Sequence, residues 1–393
     1  MDRRTFINSS SLSVLGLLSG VSQFSLAQTA SKIKNVGQSG PFIIVFLRGG
    51  ADGLGILSPL DEPSFIAARP PQMRFEPTTT IVKKGAMTWY WHPAAASLAQ
   101  LMESKRLVPW HAVGITNETR SHFEAQEIME RGVDSLQMIP DAYGMISRIA
   151  SQNGMKNSEF LYAGSNNLPR AMQGNLPAMA VKDLQNGVPF PGGVDQLKIL
   201  EKLVMADKNH PASSSIQLTL ENLNKIQYSL MGNEKKVKPY ESAGQTPYPN
   251  NDPGIGLRSV ARLIQSKIGL QYAWVDQGGW DMHEGEPNRM PNALGQLSQG
   301  LLAFDQDMQA QNKKYTLVVL TEFGRRFRSN QSNGTDHGHG GLSFVMGSQI
   351  PSSQMMGNWP GLNEADLDRG VDLAVTTPYQ EVINQALQWG RIV

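Results

Sequence analysis

The chain has 393 residues, 40% hydrophobic and 18% charged, with 35 Lys and Arg against 34 Asp and Glu and no cysteine. That apolar share fills a large core and excludes a disordered or fibrous chain. A formal charge of +1 lacks the basic excess of a general nucleic-acid or anionic-membrane binder, and zero cysteines remove disulfides, thiolate metal sites and cysteine nucleophiles.

In chain order, Met1-Asp2-Arg3-Arg4-Thr5-Phe6-Ile7 precedes an apolar stretch from Leu12 to Leu18, and Ser25-Leu26-Ala27 supplies a small-x-small cleavage pattern. Arg3-Arg4 is similar to a twin-arginine signal, the address of proteins exported already folded. An N-terminal membrane anchor is the alternative, but the apolar core falls well short of the roughly 20 residues a spanning helix needs. The expectation is a signal peptide over 1–27, cleavage after Ala27, a linker over 28–40, and one exported, periplasmic domain over 41–393 without stable membrane insertion. Phe42-Ile43-Ile44-Val45-Phe46-Leu47 reads as a strand buried on both faces, running into the turn Arg48-Gly49-Gly50-Ala51-Asp52-Gly53. Helices are expected over 92–104, from Ser121 through Met129, and over about 194–206, 212–231, 256–267, 292–311 and 377–389. Further strands are expected over 107–113, 271–275, 315–320 and 343–346. This alternation predicts an α/β fold, a central mostly parallel sheet with helices on both faces. The polar segment 232–256 reads as a surface excursion within that domain.

The seven histidines matter because several stand beside acids in glycine-rich turns. In an open parallel sheet such turns converge outside the carboxyl ends of the strands. Asp52 offers hard oxygen to a divalent cation, although Asp-Gly is also an ordinary turn signal. Ser121 reads as a helix cap with Glu124 completing a capping box, or as a nucleophile in the positive potential of a helix start, with Arg120 beside it for an anion. Asp281 and His283, two apart in an extended segment, project to one side and can share a cation, or belong to an ordinary loop. Glu322 stands at a strand end ahead of Arg325 and Arg326, which suit a substrate anion or pair with Glu322 and Asp336. Asp336-His337-Gly338-His339 is a compact donor set. Trp89, Trp91 and Trp110 read as packing.

Taken together, Arg48-Gly-Gly-Ala-Asp-Gly-Leu, His92-Pro, Arg120-Ser-His-Phe-Glu-Ala-Gln, Gly279-Trp-Asp-Met-His, Glu322-Phe-Gly-Arg-Arg and Gly334-Thr-Asp-His-Gly-His resemble the family called domain of unknown function 1501. That family is placed in the alkaline phosphatase-like superfamily. The resemblance implies a metal site at the carboxyl edge of the sheet holding one or two divalent ions, Zn, Mn, Mg or Ca. It implies Asp52, Asp281, His283, Glu322, and His337 or His339 as ligands, and Ser121 as nucleophile. Asp336 beside the histidines is a further ligand candidate, and Arg120 or Arg325 would neutralise charge on the ester oxygens. The chain departs from the superfamily at Phe323, where a histidine often stands, and at Pro378 and Gln380, where the smaller family tends to have Asp and Arg. Phe323 cannot coordinate, so an oxygen-rich site with one firm cation position is expected. Without cysteine, the usual formylglycine precursor of sulfatases is missing. The expected activity is metal-dependent hydrolysis of an anionic phosphate or sulfate ester, small or polymeric. The alternative is a non-catalytic exported scaffold with a degenerate metal site. No nucleic-acid partner is expected.

Overall fold

In a computed structural model the described residues are 40–390, apart from 78–79, 139–142, 157–158, 189–192, 207–212, 232–235 and 352–353. The expected signal peptide, and the linker up to residue 39, lie outside the described residues.

The strands of the main sheet are β1 (Phe42–Leu47), β2 (Leu107–Gly114), β3 (Phe160–Ala163), β4 (Ala178–Ala180), β5 (Leu270–Gln277), β6 (Thr316–Thr321), β7 (Gly341–Gly347) and β8 (Thr377–Pro378). They lie in the order β8-β2-β7-β6-β1-β5-β3-β4. All the pairings are parallel except those of β7, which runs antiparallel to both β6 and β2. The helices of eight or more residues are α1 (Ala96–Glu103), α2 (His122–Arg131), α3 (Met145–Gln152), α4 (Gly193–Ala206), α5 (Ser213–Met231), α6 (Gly254–Ser266), α7 (Glu286–Ala310) and α8 (Tyr379–Trp389).

Strand β1 is buried from end to end. Side chains alternate across a strand, so Ile43, Val45 and Leu47 join one core and Phe42, Ile44 and Phe46 the other. The first core takes Leu98 of α1, Leu257 of α6 and Leu301 of α7; the second takes Ile128 of α2, Ile149 of α3 and Ile383 of α8. The sheet is therefore mostly parallel and covered by helices on both faces. Trp89, Trp91 and Trp110 are buried as packing residues.

Several elements differ from expectation. Strand β4 is the three-residue run Ala-Met-Ala, and β3 has only four residues; both are too short for a periodic signal. A three-stranded sheet of Leu57–Ser58, Ile81–Lys84 and Met87–Trp91, and helix α3, were also not foreseen. Helix α7 starts at Glu286, ahead of the expected residue 292, and continues through Pro291. The described part of 232–256 is pinned to α7, since the hydroxyls of Tyr240 and Tyr248 both donate to Asp307 Oδ2 at 2.8 Å.

Candidate metal centre

The site is assembled at one edge of the sheet. β1, β2, β5 and β6 end there in parallel, delivering Arg48, the approach to Ser121, the turn Gly278-Gly279-Trp280-Asp281, and Glu322. β7 runs the other way and so begins there, which brings in the preceding loop 334–340. That loop is fastened to the turn after β6. Gly324 N donates to His339 O at 2.8 Å, Gly338 N to Gly324 O at 2.9 Å, and Arg326 N to Asp336 O at 2.9 Å. Two glycines permit the crowding: a Cβ on Gly49 (φ +119) would sit 2.3 Å from Asp281 N, and one on Gly50 (φ +71) 2.6 Å from the Phe323 ring.

Asp281 Oδ1 is the hub. Around it stand His283 Nε2 at 2.9 Å, His337 Nε2 at 3.2 Å and His122 Nε2 at 3.5 Å. His283 Nε2 and His337 Nε2 are 2.9 Å from each other. Ligand atoms of His122, Asp281 and His337 all lie within 4.8 Å of one another. On its far side each imidazole faces an oxygen. His122 Nδ1 is 2.8 Å from Glu322 Oε1, His337 Nδ1 is 2.8 Å from the Arg120 carbonyl, and His283 Nδ1 is 3.2 Å from Asp336 Oδ1. A carbonyl or carboxylate only accepts, so each neutral ring carries its proton on Nδ1 and turns an Nε2 lone pair inward. Lone pairs gathered on one carboxylate oxygen repel unless a cation or protons lie among them. His122 Nε2 is buried without a hydrogen-bond partner. This donor set fits a divalent cation.

Charge supports the arrangement. Burial pushes the Asp281 carboxyl up, but the hydrogen bond and charge of Arg325, with His337 and His283, bring it down to about 2. The hydrogen bond to Glu322 raises His122 above the ordinary imidazole value against burial, whereas burial lowers His337. The Phe323 ring forms the floor, with its centroid 4.9 Å from the His122 ring and 4.8 Å from the His337 ring.

The expected residues divide into those brought together and those held elsewhere. Asp281, His283 and His337 face the common point, and Asp336 steadies His283. Glu322 is fully buried behind His122: its Oε1 accepts from Gly49 N at 2.8 Å and Gln126 Nε2 at 3.0 Å besides His122. It therefore positions a ligand candidate and does not itself face the hub. Asp52 is held by Arg69 in a bidentate pair at 2.6 and 3.2 Å, beside Glu286. His339 turns Nδ1 to Asp368 and Nε2 to the Ile115 carbonyl. Arg120 is spent on Asp372 and Asp368. Arg325 donates to the carbonyls of Gly49, Gly50, Trp280 and Thr335 and to Asp281 Oδ1. The capping box is corrected too. Ser121 caps α2 without a side-chain bond, while Thr119 Oγ1 accepts from Ser121 N and donates to Glu124. The residue not anticipated as a ligand candidate is His122. Its signal was its place four residues before Gln126 on one helix face, opposite Glu322. With it the set holds three imidazole nitrogens and one carboxylate oxygen, richer in nitrogen than expected.

The family model described as "Protein of unknown function (DUF1501)" matches residues 41–383. The chain belongs to this family. No curated protein matches it. Among solved structures, it is similar to the C-terminal periplasmic domain of EcEptC from Escherichia coli in complex with Zn. That match has 10% identity, covers 91% of this chain and 84% of that one, and gives a TM-score of 0.40. A mutant TAB5 alkaline phosphatase with Mg bound gives 10% identity, covers 89% and 98% of the two chains, and has a TM-score of 0.35. Within this family member, the motif Arg120-Ser-His supplies both a carbonyl to one imidazole and an imidazole of its own.

Proposed function

We propose that this protein is an exported metal-dependent hydrolase of phosphate or sulfate esters, with one divalent cation held by His122, Asp281, His283 and His337. The observation that carries the reading is the approach of the Nε2 atoms of His122, His283 and His337 to Asp281 Oδ1, each ring held from behind through Nδ1. An imidazole-rich set with one carboxylate suits zinc or a neighbouring transition metal better than magnesium or calcium. When bound, such a cation supplies Lewis-acid polarisation of the ester oxygen.

The chain's own residues do the rest. Glu322, the Arg120 carbonyl and Asp336 keep the imidazole protons on Nδ1. Ser121 stands at the start of α2, and its hydroxyl makes no capping bond; in this reading it is the attacking group, with water as the other nucleophile. Backbone N–H groups of the first turn of α2 meet ester charge. Export through the twin-arginine segment belongs to the same reading. Among the described residues no helix is long and apolar enough to cross a membrane.

One observation favours the second reading, a scaffold without turnover. Arg120 and Arg325, expected on the substrate, are both consumed inside the protein. Elemental analysis of purified protein, then phosphomonoester, phosphodiester and sulfate-ester assays with and without chelator, separates the two. About one transition-metal equivalent with chelator-sensitive turnover is expected. Metal without turnover would support the scaffold, and no bound metal would overturn the hydrolase and leave the scaffold.

A further inference from the structure

A cavity of about 260 Å³ lies beside Asp52, walled by Phe75, Met73, Pro287 and Met290, with Gln72, Arg74 and His92 along it. Its acids are already closed. Asp52 is held by both terminal nitrogens of Arg69, and Glu286 accepts from Thr335 Oγ1 at 2.8 Å. Burial and the Asp52 charge push Glu286 up to about 8, so near neutrality its proton joins it to Asp52.

Its open groups are donors. The Ala94 N–H donates to His92 Nδ1 at 3.0 Å, so Nδ1 is the acceptor and the neutral ring carries its proton on Nε2. Burial lowers His92 to about 4, which keeps the ring neutral at pH 7. No hydrogen bond from that Nε2 occurs among the described residues. The Arg74 guanidinium has no ion pair among them, and its Nε is buried without a partner. A buried guanidinium nitrogen left unpaired is costly, and after Asp52 and Arg69 cancel, its charge is the one left over in the lining.

We propose that this cavity is a second binding site, for a small carboxylate carried on an apolar body. The carboxylate pairs with Arg74 and accepts from His92 Nε2, and the body packs on Phe75 and Met290. An apolar cavity of about 150 Å³ admits benzene, so this volume admits a ring together with its carboxylate. The site stands apart from the imidazole cluster: Arg325 and Thr335 lie between them, through Thr335 O to Arg325 and Thr335 Oγ1 to Glu286.

Benzoate is the probe, and benzyl alcohol is its uncharged control. Calorimetry at pH 7 on the full chain should show benzoate binding and at least about tenfold weaker binding of benzyl alcohol, the contribution of one charge-assisted contact. Arg74→Met should weaken benzoate by about tenfold or more, and Arg74→Lys should recover part of the loss. His337→Ala, which disables the imidazole cluster, should leave benzoate binding unchanged, so failure here is distinguishable from failure of the proposed hydrolase. Equal binding of the two probes, an Arg74→Met variant that binds as the parent does, loss of binding in His337→Ala, or a parent that binds neither probe would each overturn the proposal.

Discussion

The Asp281 cluster and the Asp52 cluster stand on either side of Arg325 and are built from similar residues, yet they close in opposite ways. Around Asp281, three imidazoles present lone pairs to a carboxylate that is 48% exposed. Around Asp52, a guanidinium with 1% of its side chain exposed and a protonated Glu286 satisfy the carboxylate on the spot. Both aspartates follow glycine turns at strand ends, so that position does not decide which one can take a cation. Each carboxylate meets a buried guanidinium, and what differs is how much of it is taken. Arg69 bonds both oxygens of Asp52, whereas Arg325 gives Asp281 Oδ1 one N–H and leaves its other side to imidazoles whose lone pairs are turned inward by the oxygens behind them.

The largest expected effects set the two regions against each other. Arg69→Met leaves Asp52 buried without its counter-charge and removes donors to the carbonyls of Phe327 and Arg326. It should cost about 3–5 kcal/mol of stability while leaving metal content per folded molecule unchanged. His337→Ala should do the reverse: metal affinity falls at least about a hundredfold, and the melting temperature of the metal-free protein barely moves. Denaturant unfolding and metal titration on both variants check this. If Arg69→Met lost metal in its folded fraction, the clusters would be one site.

The next contrast is in pH. Glu286 has its carboxyl raised from 4.5 to about 8 by burial and by Asp52. A raised folded-state pKa gives stability that is complete below about pH 4.5 and is lost as pH rises toward 8. Glu286→Gln should therefore flatten the fall in stability over that window. Urea unfolding of parent and variant across the window measures it; parallel curves would mean that Glu286 is ionised in the folded state.

A smaller effect is expected at Glu322. Glu322→Gln keeps the side-chain length but removes the charge that holds the His122 proton on Nδ1. Outer partners of metal-ligating histidines are typically worth about 10–100-fold in affinity. Metal titration should show a loss of that size, smaller than that of His337→Ala. A loss as complete as that of His337→Ala would make Glu322 a ligand after all.

These residues also show what was legible beforehand. The buried runs of β1 and β6 and the spacing of the helices disclosed the sheet and its covering layers, because long periodic segments carry their own signal. The grouping of Asp281, His283 and His337 was legible because imidazoles beside acids in glycine turns have few structural uses. Asp52 misled because its closure depends on Arg69, in a segment that carries no motif. His122 was passed over because the motif drew attention to Ser121, while the ring's direction is set by Glu322, 200 residues away. Long-range pairing of this kind leaves no local pattern.

Ser121 gives the smallest expected effect on stability and the sharpest test of its role. An N-cap serine that bonds the helix typically costs about 1 kcal/mol when changed to alanine. Here the hydroxyl makes no cap bond, and it is the preceding Thr119 that ties the helix start, by accepting from Ser121 N and donating to Glu124. Ser121→Ala should therefore change stability by only a few tenths of a kcal/mol, while Thr119→Ala, which loses two hydrogen bonds, should cost about 1 kcal/mol. Metal affinity should be unchanged in Ser121→Ala, because the neighbouring contacts run through the Arg120 carbonyl and the His122 ring. If the serine is the nucleophile, ester turnover is lost in this variant against a background of normal folding and normal metal content. Unchanged turnover would assign the attack to water. A stability loss as large as that of Thr119→Ala would return Ser121 to capping alone.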